Sequence, residues 1–176
     1  MARTKREYER LTQAEDMIRD LATKYKDALW RVIPSSIMVL SITNSDRSEK
    51  NHCLAKVKLM KGVEQAVMEL NNIKVRYVIE LYGSDWSKWT EAQKQWIIFH
   101  ELMHVHEEGD QLVKHDCEDF KMIIDAAGIS WVDNANLPNM LTSDVEFDLE
   151  LRPGLDDYKK DEEEANKPDL VFNPEE

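Results

Sequence analysis

No stretch of this chain approaches the roughly 20 apolar residues that a membrane-spanning helix needs. The basic start, MARTKREYER, is not followed by the apolar core of a signal peptide. The protein is therefore expected in the cytoplasm where it is made. Cysteine is scarce as well. Cys53 and Cys117 show no paired framework, which excludes a disulfide scaffold and fits a reducing compartment. Basic charge is in deficit, with 23 Lys and Arg against 35 Asp and Glu, a net charge of −12. Nonspecific nucleic-acid affinity comes from Lys and Arg neutralising phosphates, so nucleic acid is not the expected partner. Internal repeats are missing too.

What the chain does contain is His100-Glu101-Leu102-Met103-His104, of the form H-E-x-x-H. On a helix, histidines four residues apart share one face, where one tetrahedral metal can take both imidazoles. Glu101 points about 100° round the helix from His100, placed to reach a metal-activated water without ligating the metal. This is the layout of a zinc peptidase, with two ligands and a carboxylate general base. The surroundings agree. Thr90 and Gln93 form a capping box that starts the helix, and Ile98, Leu102 and Val105 make an apolar stripe. Gly109 is a stop signal. The competing reading is a solvated helix that happens to carry two histidines.

A catalytic zinc site usually has three protein ligands and an open position. His115 is the first candidate for the third. It is placed at the start of a second helical pattern (Phe120, Ile123, Ile124, Ala127) ended by Gly128, and a turn at Gly109-Asp110 would fold that helix back on the first. Glu118 is the runner-up. His106 is off the ligand face and reads as a surface histidine, and Cys117 reads as a small buried residue rather than a thiolate ligand.

The run HELMHV, a Gly-containing loop and then His115-Asp116-Cys117-Glu118-Asp119-Phe120 resembles the phage metallopeptidase family. It is distantly similar to the SprT-like zinc proteases. The resemblance covers about residues 54–141, including Leu137-Pro138-Asn139-Met140-Leu141. It implies one zinc per chain at His100, His104 and His115, Glu101 as general base, and a protein or peptide substrate. The first fifty residues and the acidic end carry no matching motif. Metzincin spacing does not fit, because Asp110 and Gln111 stand where the third histidine should fall.

The remaining pattern reads as an α+β, zincin-like fold, a small mixed sheet packed against an N-terminal helix and the H-E-x-x-H helix. Residues 8–29 read as an amphipathic helix that Pro34 stops. Residues 37–42, 54–59 and 74–82 read as strands, and 63–70 as a short helix closed by Asn71-Asn72. Trp86 and Trp89 read as packing residues, and Tyr77, Tyr82 and Tyr158 are possible oxyanion donors. Residues 1–141 are expected to form the metallopeptidase domain. Residues 142–152 alternate like an edge strand. From residue 133 onward there are 14 acidic and 4 basic residues, a balance of −10 out of the chain's −12. Residues 153–176 have little to bury and are expected to stay disordered. The expected activity is metal-dependent peptide hydrolysis. The alternative is a metal-stapled module that binds a protein partner without catalysis, although a purely structural metal site has no use for a general base.

Overall fold

The computed structural model describes residues 7–43, 54–82, 86–117 and 119–153. The elements in chain order are β1 (Glu7–Arg10), α1 (Thr12–Lys24), β2 (Ile37–Thr43), β3 (Ala55–Leu59), α2 (Val63–Leu70), β4 (Tyr77–Tyr82), α3 (Glu91–Met103) and α4 (Lys121–Ala127). The architecture is mixed α+β, as expected. One four-stranded sheet has the order β1-β2-β4-β3. β2 runs parallel to β4, and the two edge strands, β1 and β3, are antiparallel to their neighbours. β4 is buried along Tyr77–Leu81 because it is an inner strand covered on both faces. β3 alternates, with Ala55 and Val57 buried and Lys56 and Lys58 outward, as a half-covered edge strand should. Lys58 reaches across to the buried Glu80, Nζ to Oε1 2.5 Å. Among the described residues no helix is long and apolar enough to cross a membrane.

α1 buries Ala14, Met17, Ile18 and Leu21 against the sheet and α3. It is shorter than the 8–29 reading. Residues 7–10 instead pair with β2, and turns occupy 25–31. β1 is exposed throughout, so its backbone pairing left no burial period to read. The third strand begins at Tyr77 rather than at residue 74, since residues 73–76 carry no strand.

α3 starts where expected. Thr90 Oγ1 accepts from Gln93 N at 3.2 Å, and Thr90 N donates to Gln93 Oε1 at 3.0 Å. From Gln95 to Met103 only His100 is not fully buried, so the helix runs through the core rather than lying on its surface. Its buried Gln95 is satisfied by Met140 N at 2.7 Å, and Trp96 Nε1 donates to Pro138 O at 3.0 Å. The segment after α4 is thereby strapped to α3.

The edge strand expected at 142–152 is not formed. Residues 144–148 make no ladder, and Leu149–Leu151 is a 3-10 turn. The alternation has another use. Phe147 stacks on Phe99, with ring centroids 4.7 Å apart, and meets Tyr25 and Trp96 edge-on. A period of two requires only a wall for alternate side chains, and here helices supply it. Met140 O accepts from Tyr25 Oη at 2.6 Å and from Lys24 Nζ at 2.7 Å, and Arg152 Nη1 donates to Asp27 O at 3.0 Å. The packed body thus runs past residue 141 to Pro153. The acidic segment after it lies outside the described residues.

Candidate metal centre

α3 delivers His100 and Glu101 from its last turns, with His104 as its C-cap. The helix stops there because Val105 turns away to bridge Leu112. Two contacts from the start of β4 hold the intervening loop. Arg76 Nε donates to Gly109 O at 2.8 Å, and Tyr77 Oη lies 3.1 Å from His106 O and 3.2 Å from His106 N. Gly109 is required at this bend. Its φ is +67°, and a Cβ there would stand 3.0 Å from Arg76 Nε. The chain returns so that Val113 N donates to His104 O at 2.9 Å, two residues before His115.

The three histidines meet. His115 Nε2 is 3.2 Å from His100 Nε2 and 3.1 Å from His104 Nε2. His104 Nδ1 lies 2.7 Å from Val113 O; it must donate to that carbonyl, which leaves a lone pair on Nε2. Burial lowers the His104 pKa to about 4, and burial followed by the neighbouring His100 lowers that of His115. Both rings are thus neutral at pH 7 and able to donate to a metal. These three side chains could hold a metal ion. The floor beneath them is Phe120, fully buried, its ring centroid 4.8–5.4 Å from all three imidazoles.

Behind His100 stands Asp119. Its Oδ1 is 2.9 Å from the buried His100 Nδ1, close but off the line of a straight hydrogen bond. Phe120 N donates to the same oxygen at 2.6 Å, and Trp131 Nε1 donates to Oδ2 at 2.7 Å. Burial alone would raise the pKa of this carboxylate, but His100, Trp131 and the Phe120 amide together bring it down to about 2. Asp116 lies nearby in sequence but does something else, accepting from Lys121 N at 3.2 Å.

Glu101 lies against the sheet edge. Val57 N donates to Glu101 Oε2 at 2.8 Å, so this β3 amide points away from β4. Glu101 is only 6% exposed, and burial raises its pKa against the lowering effects of His100 and the Val57 amide. It nevertheless lines a cavity of about 500 Å³ together with His100, His104 and His115. Leu54, Ile97 and Val132 add apolar walls.

The helix expected from His115 begins later, at Lys121, so His115 sits on a loop. Cys117 is exposed, not buried, and its Sγ lies 3.3 Å from Asp119 O. His106 is away from the cluster, beside Asp110 and Gln111. Neither Tyr77 nor Tyr82 lines the cavity, while Glu118 and Tyr158 lie outside the described residues. Trp86 and Trp89 pack edge-to-face. Sequence reasoning missed Asp119 and Trp131, because no spacing rule separates Asp119 from Asp116.

No curated protein and no solved structure matches the chain. A family model does match, over residues 6–143, a wider span than the motifs alone suggested because it takes in α1 and the whole sheet. That family is described as Putative phage metallopeptidase, and the chain belongs to it.

Proposed function

We propose that the protein is a zinc-dependent peptidase of zincin-like fold. His100, His104 and His115 hold one zinc, and Glu101 is the general base. The observation that carries this reading is the convergence of three imidazole nitrogens. Tetrahedral zinc with bonds of about 2.0–2.1 Å separates its donor nitrogens by about 3.3 Å, and the two contacts of His115 are 3.1 and 3.2 Å. When bound, the metal supplies a Lewis acid that polarises the scissile carbonyl and acidifies water. Glu101 accepts a proton from the attacking water and passes it to the leaving amine. Val57 N–H fixes Oε2, so the proton moves through Oε1. The raised pKa of Glu101 suits a carboxylate that must hold a proton between two steps. A protein or peptide substrate is held beside β3, whose residues Ala55, Lys56 and Val57 line the same cavity as Glu101. The packed domain carries this activity, and the acidic end is dispensable for it.

The test is to express the wild-type chain and Glu101→Gln in the host and compare newly formed peptide termini. Termini seen only with wild type are expected. Identical termini from both would overturn the peptidase reading in favour of the binding module.

A further inference from the structure

A carboxylate behind a metal-ligating histidine is useful only if it is itself held still. Asp119 is held at both oxygens by different parts of the chain. Oδ1 is fixed locally by the amide of Phe120 and faces His100 Nδ1. Oδ2 is fixed by Trp131 Nε1 from twelve residues away. Two anchors on two oxygens set the plane of the carboxylate, whereas the Phe120 amide alone would let the group turn about Cβ–Cγ.

The indole is itself rigidly mounted. Trp131 is 3% exposed and opens the 3-10 turn Trp131–Asp133, with its own N–H donating to Gly128 O at 3.2 Å. Its ring lies against Trp96, centroids 6.4 Å apart, and Trp96 is tied to Pro138 O. A buried indole N–H needs an acceptor, and the one it has is this carboxylate. The chain thus runs from Trp131 through Asp119 to His100.

We propose that Trp131 is a positioning residue for the metal site, whose indole N–H locks Asp119 against His100 and thereby tightens metal binding. The proposal rests on the reading of the three histidines as the zinc site. Trp131 also lies beside the His100 ring, centroids 5.7 Å apart, so plain packing is the competing explanation. The two differ in whether the effect of Trp131 passes through Asp119.

The experiment measures zinc affinity of the full chain by competition with a chromophoric chelator. The variants are Trp131→Phe, Asp119→Ala and the double variant, each checked by a thermal melt without metal. Outer partners of metal ligands usually contribute 10–100-fold to affinity. Asp119→Ala is expected to weaken zinc by about that range and Trp131→Phe by roughly 10-fold. Adding Trp131→Phe to Asp119→Ala should change affinity no further, because the path is already cut. A loss of roughly 10-fold again in the Asp119→Ala background would assign Trp131 to packing and overturn the proposal. So would unchanged affinity in Trp131→Phe. If the phenylalanine variant does not fold, benzothienylalanine at position 131 decides the matter, since it keeps the ring shape and lacks the N–H. It should show the same loss, and wild-type affinity would overturn the proposal. Failure of the unaltered chain to bind zinc would instead sink the metal reading itself.

Discussion

The two halves of the histidine cluster are built by different means. On α3, His100 and His104 are set by one turn of helix, and the helix is started by a capping box contained within four residues. His115 arrives on a loop whose course depends on Arg76 and Tyr77, 33 and 29 residues from their partners in that loop. One half follows from local rules and the other from tertiary contacts. Local damage should therefore act differently on the two. Damage near the start of α3 should cost stability, whereas damage to the loop should cost metal.

The largest effect is expected from the nitrogens themselves. His104→Ala on the helix side and His115→Ala on the loop side should each strip most of the zinc, as read by metal analysis of purified protein. Glu118→Ala should cost far less, at most the roughly 10–100-fold of an outer partner. Metal lost with Glu118→Ala and kept with His115→Ala would mean that the loop half is misassigned.

Gly109→Val comes next. The positive φ and the 3.0 Å approach to Arg76 Nε make a side chain at this bend strained, at a cost of about 1–3 kcal/mol. Both the melting temperature and the zinc affinity should fall, because the same loop carries Val113 and His115. A lower melting temperature with full zinc affinity would show that this turn does not deliver the third nitrogen.

The pH dependence of the metal-free protein sharpens the comparison from the helix side. His104 titrates at about 4 in the folded protein because it is buried, whereas an unfolded histidine titrates near 6.5. The unfolded chain takes up its proton first as pH falls. The stability tied to neutral His104 is therefore complete above about pH 6.5 and is lost as pH falls toward 4. Melts of the metal-free chain across this window should drop, and His104→Gln should flatten the slope. Equal slopes in both proteins would show that His104 is not held neutral by its surroundings.

Thr90→Ala should have the smallest effect. Losing an N-cap typically costs about 1 kcal/mol. It should lower the melting temperature and leave the zinc affinity of the folded protein unchanged, since the helix is held near its other end by core packing. A drop in zinc affinity would mean that the cap sets the register of the histidines.

The same division explains how much was legible in the sequence. The start of α3, the alternation of β3 and the stripe of Ile98, Leu102 and Val105 are local patterns, and each is found where expected. β1 was hidden because its four residues are exposed and only their backbone pairs. The alternation at Val145 and Phe147 was legible but its partner was not, and the partner is a helix wall rather than a strand. His115 could be named from the turn expected at Gly109-Asp110 and from the family resemblance, but its setting on a loop ahead of α4 was not legible. Asp119 and Trp131 were out of reach, since the bond between them exists only once α4 has folded between them.

The most direct test of the account is X-ray absorption at the zinc edge on the purified, loaded chain. Three imidazole nitrogens at about 2.0–2.1 Å are predicted for the unaltered protein, falling to two in His115→Ala. A sulfur scatterer near 2.3 Å would implicate a cysteine, Cys53 or Cys117, instead. That signal, or a spectrum unchanged by His115→Ala, would contradict the claim that a loop histidine completes the site begun on the helix.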